Sequence, residues 1–288
     1  MPKCNLTLLL SVMFFYPIYG VNAAPIGGST ATTNVHVLSQ DFTIAGLNRS
    51  RTVRLYLPAD YQSSNKHYPV LYMHDGQNVF DQATAFAGEW GVDETLNQLA
   101  TQGWLQLIVV AIDNGESHRM AEYSGWDHPR YGKGEGEHYI RFITTVIKPY
   151  IDQQYRTLPQ AEYTGLMGSS MGGLISHYAM FNQPGIFSKV GIFSPSYWYA
   201  DAVFQQTDSR VLPPGSRISL LVGAHEGRDM VTNTQKMAAL LRLQGFNRMQ
   251  LAVKSVPGAE HNEAFWRGEF ADAVLFLFNP SAFFLRQP

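Results

Sequence analysis

The chain has 288 residues, 45% of them hydrophobic, and its 21 Lys+Arg against 23 Asp+Glu give a net charge of −2. A balance this near neutral gives no electrostatic reason to expect a nucleic-acid partner, and the apolar content excludes a disordered or low-complexity chain. A chain of this length can bury roughly three quarters of its unfolded surface, so it needs no disulfide or metal staple.

In chain order, residues 1–23 read as a signal peptide. Lys3 supplies a positive start, residues 6–19 form an apolar run, and Val21-Asn22-Ala23 offers small residues at the −3 and −1 cleavage sites. The run is shorter than the about 20 residues a membrane span needs, so no span is expected in the mature protein, an uncleaved anchor being the alternative. Cys4 precedes the apolar run and is not placed for lipid modification. Cleavage near Ala23/Ala24 leaves a cysteine-free chain, which avoids wrong disulfides in an oxidising compartment. The expected location is the periplasm or the medium.

Residues 24–33, rich in Gly, Ser, Thr and Ala, read as a flexible lead-in, and residues 34–288 as one domain. Residues 35–44 and 51–57 alternate apolar with polar side chains, the pattern of half-buried antiparallel strands, and Pro58 ends the second. Nearly continuous apolar runs follow at 68–73, 105–112, 163–167, 190–193, 218–222 and 251–256. Helical segments lie between them at 94–102, 137–150, 171–182 and 231–243. Strands apolar on both faces need cover on both faces. The expected class is therefore α/β: a mostly parallel central sheet opened by an antiparallel hairpin, with helices on both sides. Residues 114–137 form the one long connection and carry His118, Tyr123, Trp126, His128 and Tyr131. A loop of that length in a compact domain is usually functional or disordered.

Gly168-Ser169-Ser170-Met171-Gly172 fits G-x-S-x-G, with Gly173 following. The motif alone is weak, but here an apolar strand precedes it and a helix follows, the setting of a nucleophile elbow. Such a turn lifts the Ser170 hydroxyl above the sheet and aims it at the positive end of the helix. A serine nucleophile needs a base, and the base needs an orienting acid. On this kind of elbow the chain order is Ser, acid, His, which leaves His225 and His261. His261 follows the last strand in a polar loop, where it can reach over the sheet's carboxyl edge. His177, seven residues past Ser170 on the same helix, reads as a packed core histidine.

The acid belongs in the loop after residue 222, where Glu226 and Asp229 are the candidates. Asp229 directly precedes an amphipathic helix and can be explained as a cap; Glu226 has no such explanation. Two backbone N–H groups must face the oxyanion. The Met171 amide is one, and the Gln77 amide is the other, with Gly76 letting the backbone come close. There is no P-loop, dinucleotide fingerprint or H-E-x-x-H, and no cofactor or metal is expected.

Together these residues resemble an esterase family of the α/β-hydrolase fold, one that includes enterochelin esterases, feruloyl and acetylxylan esterases, S-formylglutathione hydrolase and the mycolyltransferases. The resemblance runs over residues 52–278. It rests on residues 69–81 (around His74-Asp75-Gly76-Gln77-Asn78), on Gly88-Glu89-Trp90-Gly91-Val92-Asp93, on residues 168–173 and on Gly258-Ala259-Glu260-His261-Asn262-Glu263. It implies Ser170 as nucleophile, His261 as base, the acid at the position of Glu226 and an oxyanion amide at Gln77. Many members carry Asp where Glu226 stands, and some siderophore esterases resemble a Ser–His dyad without an acid. The implied reaction is ester hydrolysis through an acyl-enzyme. An acyltransferase using the same acyl-enzyme, or a non-catalytic binding protein on this scaffold, are the alternatives.

The implied partner is a small-molecule ester, siderophore-type or an acyl-sugar or aryl ester. Trp90, Trp126 and Trp198, with Tyr197 and Tyr199, are candidates to stack on a ring of the substrate. Residues 114–137 hold Arg119, Arg130 and Lys133 against Glu116, Glu122, Asp127, Glu135 and Glu137. That balance disfavours a polyanionic ligand unless the charges segregate on folding.

Overall fold

The computed structural model describes residues 28–286, so the expected signal peptide at 1–23 lies outside the described residues. Ten strands form among the described residues: β1 (Val35–Val37), β2 (Phe42–Ile44), β3 (Arg49–Arg51), β4 (Val53–Tyr56), β5 (Val70–Met73), β6 (Ile108–Ile112), β7 (Thr164–Ser169), β8 (Lys189–Phe193), β9 (Arg217–Gly223) and β10 (Leu251–Val256). Eight of them make one sheet in the order β1-β4-β6-β5-β7-β8-β9-β10. Every pair from β6 to β10 is parallel, whereas β1–β4 and β4–β6 are antiparallel. The helices are α1 (Val92–Thr101), α2 (Arg119–Glu122), α3 (Gly136–Phe142), α4 (Lys148–Gln154), α5 (Met171–Asn182), α6 (Ala202–Asp208), α7 (Arg228–Leu243), α8 (Glu263–Phe278) and α9 (Pro280–Arg286).

The strand period of two sorts the apolar runs into two cores. Val70 and Tyr72 of β5 join Ile147, Leu174, Ile175 and Met237 on one face of the sheet. Leu71 and Met73 join Leu96, Leu99, Phe270 and Val274 on the other. β6 divides the same way, with Ile108, Val110 and Ile112 on the first face and Val109 and Ala111 on the second. Both faces are therefore covered, and the expected α/β class forms.

Four local expectations change. The single hairpin of residues 35–44 and 51–57 forms as two separate pairings. β1 pairs with β4 in the main sheet, and β2 pairs with β3 in a small ribbon. Phe42 and Ile44 turn inward there, and Phe42 packs edge-to-face on Tyr150 at 5.1 Å. The helix expected over 137–150 runs on to Gln154 through a π-helical segment, Ile143–Ile147. Pro149 stands just beyond that segment, and its ring would collide with the carbonyl four residues back in a regular helix. The long connection at 114–137 contains α2 and is pinned by ion pairs: Arg49 reaches Glu122 at 2.9 Å and Glu135 at 2.5 Å, and Arg51 also pairs with Glu122. The lead-in is likewise tied down where it is described. Ser29 and Thr30 hydrogen-bond to Asp81, and Thr32 to Asp93.

α8 escaped the sequence reading. Residues 273–277 are all buried, so the second half of the helix shows no polar stripe to mark its period.

Two predictions follow from the packing. A Cβ on Gly168 would lie 2.8 Å from backbone atoms of Gly172 and 2.9 Å from His74, so Gly168→Ala should lower stability by about 1–3 kcal/mol in denaturant melts. The buried His177 ring sits 2.8 Å from the Tyr197 hydroxyl and 2.7 Å from that of Thr207. Burial pushes its pKa down from 6.5 to about 3. Between those values the unfolded chain binds a proton that the folded chain refuses, so stability falls as pH drops below about 6.5, by up to about 1.4 kcal/mol per pH unit. His177→Gln should flatten the pH dependence of chemical denaturation by about one proton.

Candidate active site

β7 ends at Ser169 and α5 begins at Met171, and the residue between them carries the turn. Ser170 has φ 59 and ψ −120, a region that costs a non-glycine residue about 1–3 kcal/mol. Backbone bonds on both sides hold it there. The Ser170 N–H donates to the Phe193 carbonyl at 2.9 Å, and its own carbonyl accepts from Ser196 N–H at 3.0 Å and Leu174 N–H at 3.1 Å. The Ser170 hydroxyl lies 3.2 Å from that of Ser196. Met171 opens α5, where the first N–H groups have no partner within the helix.

The loops after β9 and β10 bring the next two groups together. The parallel register sets Val256 beside Gly223, and bonds from Ala224 N–H to the Val256 carbonyl (2.9 Å) and from His225 N–H to the Ala259 carbonyl (3.0 Å) stitch the loops. His261 Nδ1 then lies 2.8 Å from Glu226 Oε2. Glu226 Oε1 accepts from Gly223 N–H at 2.8 Å and from the Ser194 hydroxyl at 2.5 Å. The Ser194 oxygen in turn accepts from Trp266 Nε1–H at 2.9 Å. The Glu226 side chain is 0% exposed and that of His261 38%. A carboxylate on Nδ1 fixes the tautomer that leaves Nε2 free to take a proton. Asp229 instead stands exposed in the first turn of α7, and His225 is exposed.

Ser170 and His261 line one cleft of about 210 Å³, together with Trp90, Trp266 and Phe86. Its polar wall contains groups that the sequence reading left without a role. Asp75, in the left-handed region at φ 55, accepts from Arg119 Nε at 2.6 Å, Arg119 Nη2 at 2.9 Å and Asn114 Nδ2 at 2.7 Å. Burial pushes the Asp75 carboxyl up, but the Arg119 charge and these bonds outweigh it, and the pKa falls below the usual range. Glu263, bonded by Asn78 Nδ2 at 3.1 Å, goes the other way: burial and then the Asp75 charge raise it. His74 lies 2.9 Å from the Tyr139 hydroxyl, and burial lowers its pKa to about 4, so it is neutral at physiological pH.

Of the stacking candidates, Trp90 lines the cleft, 5.2 Å from Phe193 and 5.8 Å from Trp266. Trp126 and Trp198 are not brought to it. Trp126 packs on Tyr178, and Trp198, 45% exposed, stands beside Tyr131 and Tyr199. Gln77 falls between the lining residues Asp75 and Asn78, in a short turn, with its side chain bound to Asn114. Gly76 is required there because a Cβ would meet Asp113 at 2.6 Å. The Asp75–Arg119 pair and the Ser194–Trp266 link were missed because both join residues far apart in sequence. Their local signals were the aspartate of the His74–Asn78 turn and the Ser-Pro-Ser run after β8.

The Esterase family matches residues 44–277. YbbA, an uncharacterized protein of Bacillus subtilis (strain 168), is 28% identical over 243 residues, which cover 80% of this chain and 93% of that one. The BES protein from Bacillus cereus superposes with a TM-score of 0.69 at 18% identity, covering 89% of this chain and 99% of that one. The enterobactin esterase FES from Shigella flexneri, crystallised in the presence of enterobactin, gives 0.71 at 20% identity over 88% of this chain and 61% of that one. These structural likenesses show the α/β-hydrolase fold; with most of its length matched by the family, the chain belongs to the Esterase family and is a carboxylic ester hydrolase.

Proposed function

We propose that ester hydrolysis here uses Ser170 as nucleophile, His261 as general base and Glu226 as the orienting acid. The observation that carries this reading is the 2.8 Å contact between His261 Nδ1 and Glu226, beside a cleft that also holds the Ser170 hydroxyl. In the free protein that hydroxyl faces Ser196. On substrate binding it passes its proton to Nε2 of His261, a contact of the kind that tightens in the Michaelis complex. Ser170 Oγ attacks the ester carbonyl, and the amides of Met171 and Gln77 receive the oxyanion. His261 then protonates the leaving alcohol. Water, deprotonated by the same imidazole, attacks the acyl-enzyme and releases the acid and Ser170.

The substrate is a modest-sized ester. A cleft of about 210 Å³ suits a small acyl or aryl group, and the walls of Trp90, Trp266 and Phe86 suit a flat ring. The Shigella flexneri neighbour is an enterobactin esterase, which makes a siderophore-type ester one class. The charges of this cleft favour another. Its lining arginine, Arg119, is taken by Asp75, and Glu263 adds a second carboxyl to the wall, which weighs against a polyanion and toward a neutral aryl or acyl-sugar ester. Export after cleavage near Ala23/Ala24, resting on Lys3 and the apolar run at 6–19, would place the activity in the periplasm or the medium.

A fluorophosphonate probe should add once to the mature protein, on Ser170, and not to Ser170→Ala. That variant should lose about 10⁴–10⁶ in kcat on a short p-nitrophenyl ester. Folded protein that takes no probe and turns over no ester would overturn the assignment. Glu226→Gln should lower kcat by about 10³–10⁴, while Asp229→Asn should stay close to wild type; the reverse ranking would move the acid to Asp229.

A further inference from the structure

A cluster of carboxylates behind one wall of the cleft has no part in the ester chemistry. Glu89, Asp93 and Glu94 each present an oxygen, and the three oxygens lie within 4.8 Å of one another. Two oxygens held by one calcium ion at about 2.4 Å can be no more than about 4.8 Å apart, so the spacing permits the three to share one hard cation. Acids in the first turn of a helix are favoured anyway, and Asp93 and Glu94 stand in the first turn of α1. That preference leaves one atom unexplained. Asp93 is 0% exposed, its Oδ2 accepts from the Thr32 N–H at 2.8 Å and the Thr32 hydroxyl at 2.7 Å, and its Oδ1 has no hydrogen-bond partner among the described residues. A buried carboxylate oxygen with neither donor nor cation is rare in folded proteins.

Charge and donor type narrow the ligand. Glu89 Oε2 accepts from Arg267 Nη2 at 2.8 Å, and partial burial together with the Asp93 and Glu89 carboxylates raises Glu94 to about 7, so a divalent ion that displaces the Glu94 proton meets a net −2 from three carboxylates and one guanidinium. The donors are all oxygen, which suits calcium and not a metal that seeks imidazole or thiolate. Glu94 is exposed and opens the cluster to solvent, while Glu89 and Asp93 are buried. The Thr30 hydroxyl donates to Glu89 Oε1 at 3.1 Å, and with the Thr32 bonds it orients the ligands from behind.

We propose that Glu89, Asp93 and Glu94 bind one calcium ion, with water completing the coordination. The ion is structural. It fastens the segment carrying Thr30 and Thr32 to residues 88–94, and Trp90 of that stretch lines the cleft. On the same stretch, a Cβ at Gly88 would lie 3.2 Å from Glu263, another lining residue.

The test is calorimetric titration of EDTA-stripped protein with CaCl2, beside thermal melts in EDTA and in calcium. One ion should bind per chain and raise Tm. Glu94→Gln, a change at the solvent-facing member, should weaken binding at least about tenfold, and Asp93→Asn should abolish the Tm rise. No heat and no Tm rise in the wild type, or wild-type affinity in Glu94→Gln, would overturn the site.

Discussion

Parallel pairing sends the carboxyl ends of β5 through β10 to one edge of the sheet, and the cleft hangs from that edge. Asp75 follows β5, Arg119 comes from the connection after β6, Ser170 follows β7, Ser194 and Ser196 follow β8, Glu226 follows β9 and His261 follows β10. Six separate stretches of chain therefore meet at one edge, and the one long connection, after β6, reaches it with Arg119. The strands can lie this way only because both faces are apolar and covered. The two cores that bury Val70 and Tyr72 on one side and Leu71 and Met73 on the other thus also set the positions of the polar groups above them.

The buried end of that edge is a chain of donors and acceptors running from the Trp266 indole through Ser194 and Glu226 to His261. A carboxylate withdrawn from water needs such partners, each bond to a charged group contributing about 1.5–3 kcal/mol. With Gly223 N–H as a further donor, Glu226 has its oxygens engaged on several sides and little freedom to turn. The imidazole it holds is half-exposed by contrast, with its ring edge-to-face on Trp266 at 5.0 Å. Rigidity below and access above come from the same contact.

Much of this was legible in the sequence. The buried strands announced themselves as apolar runs, and the strand before residue 168 and the helix after it framed Ser170 before any coordinates did. His261 and Glu226 were legible as residues in loops after late strands; that the two touch was not, because contact depends on the register of β9 against β10. Pairings across long separations stayed hidden for the same reason. Asp75 and Arg119 are 44 residues apart, and Ser194 and Trp266 are 72 apart. Local pattern also misled where tertiary packing overrode it. The alternation over 35–44 is real, but Phe42 and Ile44 bury against the α3–α4 layer and not in the main sheet, so one strand became two. Trp126 and Trp198 met the chemical criterion for a stacking platform, yet aromatic content says nothing about which of several clusters a ring will join.

Among the described residues the sheet is open, so it ends in two strands with unpaired backbone groups, β1 and β10. Such margins invite a second molecule to add a strand, the first step toward aggregation, and proteins that persist in solution blunt them. β1 does so by being three residues long. β10 places the charged Lys254 at an exposed position, held at 2.6 Å by Glu269 of α8, where a docking strand would have to strip water from both. The ion pair adds little to the stability of the folded chain. Its weight lies in solubility, and it would matter most to a molecule that folds at high local concentration.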